Sequence, residues 1–354
     1  MKTLKYLTAF QNVLWRPLTM KQLPIHIQLE PTTYCNLNCK ACTRGTYLDH
    51  SEHLAMEKFQ TILESIRPLK ISLSGGGEPF LHPHIFEMVH LAKSIGASIN
   101  TTTNCTLMTS DVCSQIVKSG LDLIKISIDG ATRETYLKSR RADRFDQVLE
   151  GVRNLSTAKK QHNSSTPFLR FNYVILQENY HEMAETVQLA AESGVDAIYF
   201  QPLDLIGIED RRNELVGKLT YHALERELRR ALEASRRVPV NTNLRLLLRN
   251  LPLYWKKYLL ETRQYDRRIC LLPWFSTYMT LDGNVHPCCS CSQPETVMGN
   301  IFKTPIEQIW NGSKYQGFRQ AIRAGKRPYK ICTNCVPETL GDILRSSRIL
   351  PGFL

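Results

Sequence analysis

Three cysteines in a CxxxCxxC spacing constrain this chain more than any other feature of its sequence. Cys35, Cys39 and Cys42 follow an apolar segment and lie on a short polar loop. Three thiolates on one loop can bind three irons of a cubane [4Fe-4S] cluster and leave the fourth iron without a protein ligand. The spacing therefore predicts a cluster with an open coordination position, at which chemistry can occur. A zinc site completed by His50 or His53 is the alternative.

Length, charge and cysteine content narrow the class of protein. The chain has 354 residues, a net charge of +12 and eleven cysteines. At this length we expect two packed units, because single hydrophobic cores stop growing at smaller sizes. No segment approaches the roughly 18 uninterrupted apolar residues of a membrane-spanning helix. Residues 1–24 are expected to form a short amphipathic lead-in rather than a signal peptide.

The cysteines and the charge also indicate a compartment and partners. Cysteines without a secretory signal indicate a reducing compartment, the cytoplasm, where thiols bind metals more often than they form disulfides. The positive charge fits an acidic partner, such as a phosphorylated substrate or an acidic reductant protein. A solvated basic surface is the simpler explanation of the same charge.

Six short β-branched segments alternate with amphipathic segments between residues 25 and 202. The predicted strands are 25–30, 70–74, 97–102, 123–128, 168–175 and 197–202. The predicted helices are 56–67, 85–95, 110–119, 145–160 and 180–193. This alternation predicts an α/β fold, a partial (β/α)6 TIM-like barrel with a parallel sheet. Reactive groups in such a sheet lie at the carboxyl ends of the strands, and the cysteine loop follows the first strand.

The pattern changes after the barrel. A basic amphipathic helix is predicted at 213–237. Residues 244–260 are expected to form a helix or connector packed against the barrel edge, and contact with a lipid surface is the alternative. The remaining segment is rich in turns and cysteines, with a hairpin turn predicted at 282–283. A domain this small often needs a metal for stability. The predicted organisation is a lead-in at 1–24, a barrel at 25–212, a helical connector at 213–265 and a small α+β domain at 266–354.

Further motifs follow successive predicted strands. Ser74-Gly75-Gly76-Gly77-Glu78-Pro79 follows the second strand, Thr103-Asn104-Cys105 the third, and Ile126-Ser127-Ile128-Asp129-Gly130 the fourth. Together with the cysteine loop, and in this order, these motifs resemble those of the radical S-adenosylmethionine (radical SAM) superfamily. In that family SAM chelates the open iron through its amino and carboxylate groups and is split reductively to a 5'-deoxyadenosyl radical.

The resemblance implies a set of cofactor-binding residues. The family's GGE motif binds the SAM amino group, and glycines let a backbone approach a ligand closely. The segment after the fourth strand contacts the SAM carboxylate or ribose, with an arginine from the loop that follows, and a later strand flanks the adenine. The implied cofactor-binding residues are Gly76, Gly77, Glu78, Asn104, Ser127, Arg140, Arg141 and Ile198.

Cys105 stands where the family's TNG turn carries glycine. Its place at the carboxyl end of a predicted strand makes it a candidate catalytic residue, the hydrogen-atom donor that a radical epimerase requires. The alternative is a small buried thiol that fills a glycine site. Cys113 falls within a helical pattern and is expected in the core.

The C-terminal cysteines resemble those of the SPASM domain, in its shortened twitch form. The resemblance implies one auxiliary [4Fe-4S] cluster held by Cys270, Cys288, Cys332 and Cys335. Four cysteine ligands leave no iron open, so this cluster serves electron transfer or fold stability. The choice of Cys288 over its neighbour rests on the resemblance, and Cys289 and Cys291 are left over. Structural zinc held by the same four thiolates is the alternative.

The resemblance also implies the class of reaction. We expect an enzyme that abstracts a hydrogen atom in order to oxidise or epimerise a sugar, a cyclitol or a related small metabolite. An acidic one-electron reductant protein of the flavodoxin or ferredoxin type is the expected partner. A small substrate is favoured over a peptide because about 24 residues precede the first predicted strand, too few for a fused leader-peptide-binding domain. Peptide or protein maturation, a non-catalytic electron carrier and RNA modification are the alternatives, the last without an aromatic-interleaved basic motif.

Overall fold

Strands and helices alternate along the chain as the hydrophobic pattern predicts. The computed structural model describes residues 2–44, 51–259, 268–290, 293–333 and 335–343. The strands are β1 His26–Leu29, β2 Lys70–Leu73, β3 Ser98–Thr103, β4 Leu123–Ser127, β5 Phe168–Ile175, β6 Ala197–Pro202, β7 Asn241–Thr242, β8 Ser276–Met279, β9 Asn284–His286 and β10 Gly299–Asn300.

The helices occupy the segments between and after these strands. They are α1 Lys2–Trp15, α2 Met56–Ile66, α3 Ile85–Ser94, α4 Ser110–Ser119, α5 Arg133–Arg140, α6 Phe145–Gln161, α7 Met183–Glu192, α8 Arg212–Leu215, α9 Tyr221–Ser235, α10 Leu244–Tyr258, α11 Ile306–Trp310, α12 Ser313–Arg323 and α13 Lys330–Thr333. The six predicted strands and the α/β class are confirmed. Four predicted helices are confirmed to within a residue at each end, and the fifth, α7, is preceded by the 3-10 turn Tyr180–Glu182.

Two predicted segments were wrong. Arg140, expected in a loop after the fourth strand, is the last residue of helix α5, whose first turn is capped by Thr132 Oγ1 accepting a hydrogen bond from Thr135 N–H over 3.3 Å. The single helix expected at 213–237 is broken between α8 and α9. Thr220 adopts extended backbone with ψ 152° and caps α9 through Ala223 N–H. A capping residue of this conformation cannot lie inside a helix, so a new helix begins there.

The chain divides into two units that alternate along the sequence. Unit 1 comprises Met1–Tyr34, Tyr47–Thr101 and Tyr265–Leu340, and unit 2 comprises Cys35–Thr46, Thr102–Gln264 and Gly341–Leu354. The domain boundaries predicted at residues 25, 213 and 266 stay a prediction.

Unit 1 is built on strands in the order β10-β9-β8-β1-β2-β3. The strands β8, β1, β2 and β3 are parallel, with His26 opposite both Lys70 and Ser276. The antiparallel pair β8 and β9 turns at Gly283, whose φ of 87° only glycine adopts readily, so the predicted hairpin is confirmed. Every residue of β2 is buried, as expected for a parallel strand covered on both faces.

Unit 2 contains the parallel strands β4, β5, β6 and β7 in that order. Gly120, with φ 79°, ends α4 and turns the chain into β4. Helix α10 buries Leu244, Leu247 and Leu251, which confirms the helix predicted at 244–260. Within the described ranges no helix has the length and apolar character needed to cross a membrane.

Candidate metal centres and cofactor site

The cysteine loop belongs to unit 2 and is held by its own backbone. Lys40 N–H donates to the Ser139 carbonyl in α5 over 2.9 Å, and Cys42 N–H donates to the Cys39 carbonyl over 3.2 Å. Cys35 and Cys39 are half-buried, and Cys42 is exposed. The three predicted cluster ligands therefore lie on one short turn docked onto α5.

Asn104, a predicted cofactor-binding residue, braces the same loop. Its Nδ2 donates to Asn36 Oδ1 over 2.7 Å, and Asn36 Nδ2 donates to Thr106 Oγ1 over 2.9 Å. Asn104 Oδ1 accepts from Thr106 N–H over 3.0 Å. Asn104 thus fixes the residue that follows Cys35, and a contact with SAM stays a proposal.

The structure separates the two candidate arginines. Arg140 ends α5 with its side chain only 11% exposed, and its Nη2 lies 2.7 Å from Asp129 Oδ2. Its Nη1 donates to Cys39 Sγ over 3.6 Å. Burial opposes the charge of Arg140, but Asp129 and Cys39 raise its pKa above the ordinary value, so the guanidinium stays charged. Arg141 instead pairs with Glu214 over 3.3 Å, at an exposed position.

Two charged residues that the sequence reasoning missed support this region. Asp129 follows β4 and also accepts from Val174 N–H over 2.8 Å through Oδ1. Lys40, inside the cysteine loop, pairs with Glu178, which is 15% exposed. Their positions in the sequence were the signal that could have identified them, since Asp129 follows a buried strand and Lys40 lies between two predicted ligand cysteines.

The glycine loop belongs to unit 1 and leaves no room for side chains. A Cβ at Gly77 would lie 2.3 Å from the carbonyl oxygen of Thr32 and 2.5 Å from that of Tyr34. Gly76 N–H donates to Glu30 Oε1 over 2.6 Å. Glu30 is 1% exposed; burial raises its pKa and the Gly76 amide lowers it. The sequence analysis did not single out Glu30. The signal that could have identified it was a carboxylate directly after a buried strand.

Glu78 has a local structural role. It is 2% exposed, and its Oε1 accepts from Phe80 N–H over 3.3 Å at the start of the 3-10 helix Pro79–Leu81. Glu78 N–H donates to the Tyr34 carbonyl over 2.7 Å. Binding of the SAM amino group by this residue stays a proposal.

Ser127 and Ile198 lie on strands of unit 2. Ser127 is the last residue of β4 and is half-buried, opposite Asn172 of β5. Ile198 of β6 is fully buried between Phe171 and Thr242 on the neighbouring strands. Ser127 therefore lies at the strand end where the fold places reactive groups, whereas Ile198 lies further back in the strand.

Cys105 adopts a left-handed backbone with φ 64° and is completely buried. Its N–H donates to Thr103 Oγ1 over 2.9 Å. A Cβ at Gly151 of α6 would lie 3.1 Å from Cys105 Sγ, so the thiol packs against that helix. The positive φ explains why glycine suits this position. The packing supports the buried-thiol alternative, and hydrogen-atom donation stays a proposal.

Cys113 lies in the core, as predicted. It is completely buried, and burial raises the pKa of its thiol to about 12. A thiol with this pKa is inert at neutral pH.

The C-terminal cysteines of unit 1 lie near one another. Burial, together with the neighbouring Cys288 and Cys332, raises the pKa of Cys270 to about 12. Cys335 N–H donates to the Cys332 carbonyl over 3.4 Å, so these two share a turn. All four predicted ligands are half-buried, and Cys289 is exposed. Cys291 lies outside the described residues.

The donor set matches iron-sulfur clusters in kind and number. Three thiolates in the Cys35 to Cys42 loop and four in the C-terminal segment are ligand numbers of cubane clusters, in which each thiolate binds a different iron. Arg140 Nε is buried without a hydrogen-bond partner and can donate to an anionic group beside Cys39. Of the histidines in the zinc alternative, His53 contacts the rings of Tyr34 and His82, and His50 lies outside the described residues.

Comparison with known proteins identifies both parts of the chain. The model of the radical SAM superfamily matches residues 29–190, and that of SPASM, an iron-sulfur cluster-binding domain, matches residues 270–336. These two domains imply a SAM-binding [4Fe-4S] cluster and an auxiliary cluster.

Three similar proteins extend over most of the chain. A Pyrococcus furiosus tungsten-containing aldehyde ferredoxin oxidoreductase cofactor-modifying protein is 23% identical over 92% of this chain and 90% of its own. The AdoMet-dependent heme synthase of Methanosarcina barkeri is 25% identical over 90% of this chain and 93% of its own. The crystal structure of Streptococcus suis SuiB with its precursor peptide SuiA matches with a TM-score of 0.65 and 15% identity over 92% of this chain and 73% of SuiB, and SuiB has also been solved with SAM.

The likeness to SuiB shows a shared fold, in agreement with the predicted partial barrel. The two matched domains account for both groups of cysteines. This chain belongs to the radical SAM superfamily and carries a C-terminal SPASM domain.

Proposed function

We propose that this radical SAM enzyme removes a hydrogen atom from an unactivated C–H bond of a small metabolite and completes a two-electron oxidation. The substrate loses the hydrogen atom, then one electron to the auxiliary cluster and one proton to solvent. The grouping of Cys270, Cys288 and Cys332, with Cys335 on the same turn as Cys332, carries this proposal. Four thiolates leave no iron open to a second SAM, so the auxiliary cluster is suited to accept an electron.

The chain's own residues hold the cofactors in this proposal. Cys35, Cys39 and Cys42 hold the first cluster, which with bound SAM supplies the 5'-deoxyadenosyl radical. Arg140, paired with buried Asp129, presents positive charge to the Cys39 sulfur. The residues proposed to bind SAM are Gly76, Gly77, Glu78, Asn104, Ser127, Arg140, Arg141 and Ile198.

A sugar, cyclitol or related small metabolite is the proposed substrate. The two relatives that match over at least 90% of both chains are named for cofactor modification and heme synthesis, which supports a small molecule. Epimerisation, with Cys105 as hydrogen-atom donor, is the second reaction we propose. Peptide maturation is the second substrate class, because SuiB shares the fold and was solved with its precursor peptide. The net charge of +12 supports an acidic flavodoxin or ferredoxin as the reductant. The eleven cysteines support the cytoplasm as the location, because thiols in a reducing compartment bind metals more often than they form disulfides.

Anaerobic reconstitution tests the proposal. We expect about eight irons per chain, for two cubanes, and formation of 5'-deoxyadenosine from SAM with a strong reductant. Absence of 5'-deoxyadenosine with both clusters intact would assign the chain as an electron carrier instead. Retention of zinc in place of iron would refute both cluster assignments.

A matched pair of variants tests the auxiliary cluster. We expect Cys335→Ala to lose about half of the iron and the net oxidation, while it still forms 5'-deoxyadenosine. Cys289→Ala, which changes an exposed thiol on the same domain, should behave as the unaltered enzyme. Full iron content in Cys335→Ala, or a loss in Cys289→Ala, would overturn the ligand assignment. Product mass after incubation with cyclitols, sugars and peptides identifies the substrate class.

A further inference from the structure

Helix α1 turns its large apolar side chains outward and its small ones inward. Ala9 is 4% exposed and Val13 is 7% exposed. Six large hydrophobic side chains of the same helix are at least 45% exposed, and Trp15 reaches 80%. They are Leu4, Tyr6, Leu7, Phe10, Leu14 and Trp15. We call these six residues the α1 face. A helix that only packed against its own protein would bury the larger residues, because they gain most from burial.

Hydrogen bonds hold helix α1 in place within unit 1. Lys5 Nζ donates to the Arg67 carbonyl over 2.9 Å, and Gln22 Nε2 donates to the Lys5 carbonyl over 3.0 Å. Just after the helix, Trp274 Nε1 donates to the Pro17 carbonyl over 2.9 Å. The outward direction of the apolar residues is therefore fixed by hydrogen bonds within unit 1.

All charged side chains of the segment that carries the α1 face are positive. Residues 1–29 contain no Asp or Glu, and their cations are Lys2, Lys5, Arg16 and Lys21. A second copy of the helix packed on this face would bring cations together in the absence of anions. An anionic lipid surface satisfies both the apolar residues and the cations, and Trp at the end of such a helix suits the membrane interface.

A groove at the C-terminal end of α1 adds a second observation. Its volume is about 460 Å³, with apolar walls from Leu14, Ile269 and Leu340 and positive charge from Arg16 and Arg268. Arg16 adopts a left-handed φ of 51°, which is unusual for a residue with a side chain, and its Nε is buried without a hydrogen-bond partner. Apolar walls beside an unsatisfied guanidinium N–H fit a phosphate group that carries an acyl chain.

We propose that unit 1 docks on an anionic phospholipid bilayer through the α1 face, with one lipid phosphate bound by Arg16 in the adjoining groove. The proposal concerns where the enzyme works and goes beyond its chemistry. It places this enzyme at a membrane surface.

Flotation of the full-length, cluster-loaded protein with lipid vesicles tests this proposal. We expect binding to vesicles that mix phosphatidylcholine with phosphatidylglycerol, and weak binding to phosphatidylcholine alone. Leu7→Glu should weaken binding by about tenfold or more, since it removes a leucine that the proposal places in the bilayer and adds a charge of the same sign as the lipid. Arg16→Gln should weaken it by about fivefold, the expected effect of one cation at an anionic surface.

The matched control is Ile95→Glu, which changes an exposed apolar residue of unit 1 outside α1. It should leave vesicle binding unchanged. The proposal is overturned if the unaltered protein does not float, or if Leu7→Glu and Ile95→Glu bind equally well. Displacement by inorganic phosphate at constant ionic strength would instead assign the groove to free phosphate. A dimer in solution that Leu7→Glu dissociates, without vesicle binding, would assign the α1 face to a second copy. Because binding is measured without SAM or substrate, its failure is distinct from a failure of the proposed oxidation.

Discussion

The buried pair of Asp129 and Arg140 is predicted to hold the cysteine loop on α5. The change Asp129→Asn replaces a carboxylate by an amide of the same shape. The amide oxygen can still accept the hydrogen bond from Val174 N–H, which measures 2.8 Å. The guanidinium of Arg140, 2.7 Å from the carboxylate, loses its countercharge while it stays buried.

The expected cost follows from burial. The side chains of Asp129 and Arg140 are 7% and 11% exposed, so solvent screens the pair weakly. Breaking a buried ion pair at one partner costs about 3–5 kcal/mol, because a buried charge is left uncompensated. The Cys39 sulfur, 3.6 Å from Arg140 Nη1, offers partial compensation. We therefore expect a loss of about 3 kcal/mol in the free energy of unfolding, at the lower end of that range.

Urea unfolding under anaerobic conditions, followed by circular dichroism, measures this loss. The control is Asp143→Asn, whose partner Arg133 is 61% exposed and whose own side chain is 49% exposed. That variant should unfold at the same urea concentration as the unaltered protein. The double change Asp129→Asn with Arg140→Met should recover most of the loss, since it removes the isolated charge. If Asp129→Asn unfolds like Asp143→Asn, the pair does not stabilise the loop and the reasoning is refuted.

Three further predictions follow from single residues. Gly77→Ala should lower the free energy of unfolding by about 1–3 kcal/mol and weaken SAM binding, because its Cβ would lie 2.3 Å from the Thr32 carbonyl oxygen. The control is Gly317→Ala in α12, which should stabilise the protein because a Cβ there meets nothing within 4 Å. Equal effects at the two sites would contradict this prediction. Burial lowers the pKa of His82 below 6.5, so the unfolded chain binds a proton at this histidine before the folded chain does as the pH falls. The free energy of unfolding should therefore fall from pH 7 to pH 5.5 more steeply than in His82→Gln, by up to about 1.4 kcal/mol per pH unit. Parallel plots of this free energy against pH for the two proteins would exclude His82 as the cause. Cys105→Ala in deuterated water separates the two proposed reactions: net oxidation predicts an unchanged product, whereas loss of solvent deuterium from the product would assign epimerisation with Cys105 as the donor.

The sequence predicted those strands and helices whose own side chains form a recurring apolar pattern. Strand β5, Phe168–Ile175, was predicted to the residue because apolar, mostly aromatic and β-branched, side chains recur along it, and every position of the strand is buried or half-buried. Helix α5 was missed because its eight residues, RETYLKSR, carry no long apolar stripe. It is stabilised by the Thr132 cap and by tertiary contacts of Tyr136, which is completely buried. Short polar helices of this kind depend on their neighbours more than on their own pattern.

The sequence likewise predicted some parts of the candidate site and missed others. Spacing predicted Cys35, Cys39 and Cys42 as one group, because cluster ligands near one another in sequence need only a short loop to meet. The C-terminal group was implied by the resemblance to the SPASM domain. The sequence did not predict contacts between residues that lie far apart along the chain. Glu30 meets Gly76 across 46 positions of sequence, and Lys40 meets Glu178 across 138. Such pairs form only when the chain folds, because their two residues belong to segments that are far apart in the sequence.

The amino-acid sequence by itself determined the α/β class and the order of the strands along the chain, and it singled out the cysteines that we propose as ligands of two clusters. These properties depend on hydrophobic periodicity and on ligand spacing, which are local and can be read along the chain. Only the tertiary structure decided that Arg140 rather than Arg141 contacts Cys39, that Cys105 packs against Gly151, and that α1 turns its large apolar side chains outward. Those outcomes depend on which surfaces meet when the strands pair, and burial then determines which charges are screened and which side chains are left for a partner.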